Sequence, residues 1–180
     1  EWTLPAAAAR TFRGLVEQEK HAGHYEARKP FVRGGIWRNF FMRYPESNWM
    51  HKRMLQVSAR LAALPAKRRT PAMQEQLHRA QANDAYWHGL FGGLYLPHLR
   101  RAIWNNLLAL EAALDAVAAR PALEQGDIDH DGHDEIVLCN TQAQAAIQAD
   151  GDACVVELSS YTLAHNFGDT LRHYEEGYHD

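Results

Sequence analysis

Two stretches of this 180-residue chain concentrate the residue types that do chemistry. The first is Asn83-Asp84-Ala85-Tyr86-Trp87-His88-Gly89-Leu90-Phe91-Gly92-Gly93, which sets a carboxylate, an amide, an imidazole and aromatic rings between two helical segments. Asp and Asn side chains can grip neighbouring sugar hydroxyls, while a Trp ring offers a flat apolar face to the C–H side of a pyranose. The glycines let the backbone bend sharply and come close to a ligand. Packing between helices is the competing reading for Trp87 and Phe91, and a satisfied core histidine the competing reading for His88. The residues alone leave both open.

The second stretch is Asp127-Ile128-Asp129-His130-Asp131-Gly132-His133-Asp134-Glu135, with carboxylates at positions one, three and five, Gly at six and an acid at nine. A hard cation takes oxygen ligands from such a spacing, which follows the first half of an EF-hand loop. Leu138 stands at position twelve, where that loop needs a bidentate Glu, so a full EF-hand is not expected. A single structural calcium loop leading into a strand, with Asp127, Asp129, Asp131 and Glu135 as ligands, is one reading. An Asp/Gly-rich turn held by side-chain-to-backbone hydrogen bonds is the other. His130 and His133 do not make a zinc set, since only the oxygen ligands are regularly spaced.

The elements that must position these stretches can be read from periodicity. Leu4-Pro5 opens a first helix, with Thr3 as its cap, in which Ala8, Phe12, Leu15 and Val16 share a face; it ends before Pro30. Arg33-Gly34-Gly35 makes a turn, and Ile36, Trp37, Phe40, Phe41 and Met42 form a short buried helix before Pro45. Ser47 or Asn48 caps the next helix, whose Met50, Met54, Val57, Leu61 and Leu64 line one side up to Pro65. Lys67-Arg68-Arg69 reads as a solvated loop between helices. Thr70-Pro71 starts a helix that carries Met73, Leu77 and Ala80 inward. Leu96-Pro97 starts the most regular one, with Leu99, Ile103, Leu107, Leu110, Leu114 and Val117 spaced by three and four.

Beyond Arg120-Pro121 the period changes. Ile136-Val137-Leu138-Cys139 and Cys154-Val155-Val156-Glu157-Leu158 are β-branched runs bounded by Asp, Gly and Asn, which predicts three or four strands. The expected fold is therefore mainly α: a helical bundle of three to four helices over residues 1–122, then a short, truncated β segment over 123–180. A truncated sheet exposes strand edges, which predicts partial disorder, packing on the helices or a homodimer through those edges.

Composition bounds the function classes. Lys and Arg number 19 against 22 Asp and Glu, so the net charge of −3 argues against a nucleic-acid partner. No apolar run approaches the roughly 18 residues of a membrane span, and no hydrophobic signal core opens the chain, so a soluble, cytoplasmic protein with no membrane partner is expected. The first residue is Glu1, and the composition does not wind down at the other end, so an excised fragment is expected. Cys139 and Cys154 are too few for a disulfide framework and read as two buried thiols.

The run from Phe31 to Met54, read as FVRGGIWRNFFMRYPESNWMHKRM, resembles the segment that follows the catalytic barrel in glycoside hydrolase family 57. The run from Ala80 to Leu99, AQANDAYWHGLFGGLYLPHL, is similar to the last of that family's five motifs in its α-amylase and 4-α-glucanotransferase group. Glu1-Trp2-Thr3-Leu4-Pro5 is similar to the family's exit from the barrel, and Asp127 onward to the start of its C-terminal β-sandwich.

The resemblance implies a helical domain that completes the active site of a missing (β/α)7 barrel, which would carry the nucleophilic Glu and the acid/base Asp of a retaining mechanism. Nothing in this chain matches those two motifs, so it has no catalytic residues of its own, is expected to be inactive alone, and needs no cofactor for chemistry. The resemblance makes Asp84 and Trp87 substrate-binding residues facing that barrel, with Asn83, Tyr86 and His88 as second choices for the same role, and Arg33, Trp37 and Arg38 at the barrel interface. The partners it implies are an α-1,4-glucan oligosaccharide and the barrel. Two other classes stay open on the residues: a stand-alone maltooligosaccharide-binding module, and a calcium-stabilised interaction domain.

Overall fold

A computed structural model describes residues 2–177. These form six α-helices and five β-strands, gathered in two compact units: one from residues up to Pro45 together with those from Arg172 on, the other from Glu46 to Leu171.

The first unit holds α1 (Ala6–His21), α2 (Tyr25–Arg28) and α3 (Trp37–Arg43). Pro5 precedes α1, whose buried residues are Ala6 and Ala9, while Leu15 stays 47% exposed. Thr3 does not cap that helix; its hydroxyl donates to the Gly34 carbonyl at 3.1 Å. In α3, Phe40 and Phe41 are buried and Trp37 stacks on Phe40 at 5.4 Å. The Arg43 guanidinium donates to Glu176 at 2.7 Å, and the Tyr44 hydroxyl donates to the other oxygen of the same carboxylate.

The second unit contains α4 (Pro45–Ala63), α5 (Pro71–Ala80), α6 (Pro97–Val117) and strands β1 (Leu123–Gly126), β2 (Glu135–Cys139), β3 (Ala143–Gln148), β4 (Cys154–Ser160) and β5 (His165–Asn166). Prolines open all three helices, where a missing N–H costs nothing. Thr70 caps α5 by accepting from the Met73 N–H at 3.2 Å. The α4 helix starts at Pro45, two residues before the expected cap, which frees Ser47 to donate to the Tyr86 carbonyl at 2.7 Å. Arg69, from the basic triplet, donates to the Ala62 and Leu64 carbonyls and so closes the C-terminus of α4.

The strands form one antiparallel meander in the order β1-β2-β3-β4-β5. Its inward face places Val137 and Ala146 in the same core as Met50, Val57, Leu107 and Leu114. A bulge at Val156 lies between the Ile147–Val155 and Ala146–Glu157 pairs.

This corrects the expected fold class. The molecule is mixed α/β, with six helices and a five-stranded sheet among the described residues, and is not a helical bundle trailed by a short β segment. The reason lies in β1 and β3, whose sequences LEQG and AQAAIQ carry few β-branched residues. Their strand conformation comes from pairing to β2 and β4, a context that local propensity does not contain. The expectation of two buried thiols is also corrected: both cysteines are free, Cys154 is exposed and Cys139 half-buried, because each stands at a strand end.

Candidate functional site

The first chemical stretch is a turn followed by a self-closed loop. Residues Asn83–Tyr86 form a 3-10 turn directly after α5, leaving Asn83 and Asp84 exposed. Tyr86 is turned inward: its hydroxyl donates to the Ala80 carbonyl at 2.7 Å, and burial pushes its pKa upward. The His51 ring meets it edge-on at 5.6 Å. Burial, then the neighbouring Lys52 charge, pulls His51 down to about 4, so this imidazole is neutral at physiological pH.

Trp87 is half-buried, and its carbonyl accepts from the Leu94 N–H at 2.7 Å, which ties the loop shut at its base. Gly93 makes that closure sterically feasible. Its φ is +46°, and a Cβ there would lie 1.9 Å from the Trp87 carbonyl oxygen. His88 is buried and stacks on Tyr95 at 5.9 Å with the rings 8° apart. Leu90 and Phe91, at the loop tip, are 84% and 89% exposed. The five residues singled out here thus divide: Asn83 and Asp84 face solvent, Trp87 lies at the surface boundary, and Tyr86 and His88 anchor the loop from below.

The second stretch joins β1 to β2. Asp127 accepts from the backbone N–H groups of Asp131 and Gly132 at 3.0 and 3.1 Å, and Asp129 accepts from Asp131 N–H at 3.2 Å. One ligand atom each of Asp127, Asp129 and Glu135 lies within 4.8 Å of the others. Asp131 stands outside that group: its carboxylate accepts from His133 N–H at 2.8 Å and from the Gln148 amide at 3.3 Å. Glu135 opens β2 and is 1% exposed. Its Oε2 accepts from Ile128 N–H at 2.8 Å, and a backbone hydrogen bond from Asp129 also reaches the carboxylate. Burial, then the nearby Asp131 charge, raises the Asp129 pKa; burial also raises that of Glu135. The Asn48 amide of α4 donates to the Asp129 carbonyl at 2.8 Å and fixes the loop to the helical layer.

A third polar cluster escaped the sequence reading. Arg53, Glu111 and Glu157 meet between α4, α6 and β4, with Arg53 Nη2 2.6 Å from Glu111 and its Nε 2.9 Å from Glu157. Arg120 and Arg60 join through Glu111 at 3.2 and 3.3 Å. Burial works against ionising Glu111, but the charges of Arg53, Arg120 and Arg60 prevail and hold its carboxyl below the usual range. A signal for it existed. Arg53 falls inside the apolar stripe formed by Met50, Met54 and Val57, and Glu111 inside that formed by Leu107 and Leu114. A charge within an apolar stripe announces a buried partner.

Comparison with known proteins gives these arrangements a setting. Residues 35–114 match the sequence-family model described as the alpha-amylase/4-alpha-glucanotransferase middle domain. Residues 127–180 match the corresponding C-terminal model. The chain is 46% identical over 180 residues to a 4-alpha-glucanotransferase of Thermococcus litoralis and 48% identical over 179 residues to an alpha-amylase of Pyrococcus furiosus, in each case spanning 26% of the relative's length. The crystal structure of the Thermococcus litoralis 4-alpha-glucanotransferase superposes with a TM-score of 0.82 at 44% identity, covering 99% of this chain and 26% of that one. No helix among the described residues is long and apolar enough to cross a membrane.

Proposed function

We propose that these residues are a non-catalytic part of a retaining α-glucan-acting enzyme of glycoside hydrolase family 57, an α-amylase or a 4-α-glucanotransferase. In this reading they contribute substrate-binding residues to its cleft. The observation that carries it is the match along nearly the whole chain, at 46% and 48% identity, to relatives named for these two activities. Both activities begin with capture of an α-1,4-glucan and differ in whether water or a sugar hydroxyl meets the glycosyl-enzyme. A segment serving the shared step is expected to resemble both equally.

Asp84 is the residue we assign to hydrogen bonding of sugar hydroxyls beside the cleaved bond, with Asn83 next to it. It is exposed on a short turn whose neighbours Ala85 and Tyr86 are buried, so the carboxylate is presented by an anchored backbone. Trp87 would supply the platform for the sugar's apolar face, while Tyr86 and His88 hold the loop in shape. The two carboxyl groups of the retaining mechanism, about 5–5.5 Å apart, would come from a barrel outside these residues. The same reading makes that barrel and the glucan the partners, in a cytoplasmic enzyme with no nucleic-acid or membrane ligand.

The test uses the full-length polypeptide with Asp84→Ala. A bond to a charged group is worth about 1.5–3 kcal/mol, so kcat/KM on maltooligosaccharides should fall about ten- to hundredfold. Trp87→Ala should raise KM more than it lowers kcat. Wild-type turnover in Asp84→Ala would refute the assignment.

A further inference from the structure

We propose that Arg100, braced by Asp169, is a positioning residue for Trp87: the pair holds the closing end of the aromatic loop and so sets where the sugar platform stands. The inference rests on the glucan-binding role proposed above and deepens it. Arg100 lies in the first turn of α6 and is 6% exposed. Its Nη1 donates to the Leu94 carbonyl at 2.5 Å and its Nε to Asp169 Oδ1 at 3.0 Å. The Leu94 N–H donates in turn to the Trp87 carbonyl at 2.7 Å. Both backbone polar groups of buried Leu94 are thereby engaged, one with the start of the loop and the other with a buried guanidinium.

The loop does not fix itself. Gly89, Gly92 and Gly93 lie between its two ends, and glycine loses the most conformational freedom when held in one shape. Leu90 and Phe91 at the tip are exposed, so little apolar burial restrains it there. The restraint is at the base, in the stacked His88 and Tyr95 rings and in the chain of hydrogen bonds from Trp87 through Leu94 to Arg100. Hydrogen bonds to an ionised group are roughly twice as strong as neutral ones, which makes the Arg100 link the strongest member of that chain.

Asp169 keeps Arg100 in place. It stands in the turn after β5, where Asn166 Oδ1 accepts from Leu158 N–H of β4 at 3.1 Å and from Gly168 N–H at 2.8 Å. The same Asp169 Oδ1 that binds Arg100 also accepts from Trp104 Nε1 of α6 at 3.2 Å. A fixed strand turn thus sets a carboxylate, the carboxylate sets a guanidinium, and the guanidinium sets the loop. An arginine suits this task because its planar fork presents separate N–H groups to two acceptors, whereas lysine gathers its charge on one nitrogen. A pair that merely joined α6 to the sheet would have no need of the Leu94 carbonyl.

The experiment measures maltooligosaccharide kinetics and amide hydrogen exchange on the full-length polypeptide as wild type, Asp169→Ala, Asp169→Asn and Arg100→Lys, with Asp84→Ala and Trp87→Ala alongside. A misplacement of about 1 Å can cost about a hundredfold, so Asp169→Ala and Arg100→Lys should each raise KM at least about fivefold while kcat changes less than about twofold. Asp169→Asn, which keeps the acceptor oxygen, should recover most of the loss. Exchange should quicken over residues 87–96 of Asp169→Ala and stay unchanged in the middle of α6. In a Trp87→Ala background, Asp169→Ala should raise KM less than about twofold further, because the platform it positions is gone. The same fold-change in both backgrounds would overturn the proposal, as would wild-type KM in Asp169→Ala and Arg100→Lys or unchanged exchange at Leu94. Asp169 is only half-buried, so its variants decide the matter if Arg100→Lys fails to fold. Wild-type kinetics in Asp84→Ala and Trp87→Ala would remove the glucan-binding reading and the positioning role with it. Loss of activity in those two but not in the Asp169 and Arg100 variants would remove the positioning role alone.

Discussion

Glu157 and Glu135 are both removed from water, 0% and 1% exposed, and both lie on the sheet of the second unit, yet the protein treats them differently. Glu157 is saturated: Oε1 accepts from Gln144 and Ser159, each at 2.8 Å, and Oε2 from Trp49 at 3.0 Å and Arg53 at 2.9 Å. Glu135 has backbone donors alone: Ile128 N–H on Oε2 at 2.8 Å and a backbone hydrogen bond from Asp129. Burying a charge is tolerable when its lone pairs are filled and an opposite charge stands near. The first carboxylate meets that condition from within the chain. The second has backbone donors and, among the described residues, no salt bridge, so one carboxylate is a saturated clamp and the other a charge less fully compensated.

The comparison predicts a large cost where saturation is broken. Arg53→Met removes the cation paired with Glu157 and the nearest of the three arginines on Glu111, and unfolding in urea should show a loss of about 3–5 kcal/mol. A loss under about 1 kcal/mol would mean that the cluster relaxes or takes up water, and that the two glutamates are alike after all.

A smaller effect follows from pH. The arginines hold the folded Glu111 pKa below its ordinary 4.5, so its stabilisation is complete above that value and is lost as the pH falls from there through the folded value. Thermal midpoints of wild type should therefore drop as the pH is lowered from neutrality to about 3. The drop should be shallower in Arg53→Met, which has already lost the largest of the three charges responsible. Parallel curves would remove Glu111 from the account of acid sensitivity.

The smallest effect is expected at Glu135. Glu135→Gln keeps an acceptor for Ile128 N–H and removes a charge that has no salt bridge among the described residues, so stability should stay within about 1 kcal/mol of wild type. A loss as large as that of Arg53→Met would show that Glu135 is compensated by the protein itself, and the contrast would collapse.

Much of this was legible along the chain because the relevant physics is local. Pro71 and Pro97 mark the helix starts that the structure shows, and the three-four spacing from Ile103 to Leu114 gave the buried face of α6. The acidic spacing from Asp127 to Glu135 drew attention to a real convergence, though Asp131, equal to the others by position, is bound to His133 and Gln148 instead. The aromatic loop was visible as a cluster of residue types. Which of its members face solvent was not, because Asp84 and Tyr86 sit two residues apart on a turn without a regular period.

What the sequence by itself determined, then, is where helices begin, which of their faces are apolar, and which residue types lie close along the chain. These follow from backbone sterics and side-chain periodicity over a few residues. Only the tertiary structure decided that LEQG and AQAAIQ become strands, that Arg53 meets carboxylates from α6 and β4, and that Glu135 has backbone donors alone. The Arg53 cluster depends on partners 58 and 104 residues away, and the strands on neighbours brought alongside by the turns between them. Pairing and desolvation at that range are settled by the fold as a whole.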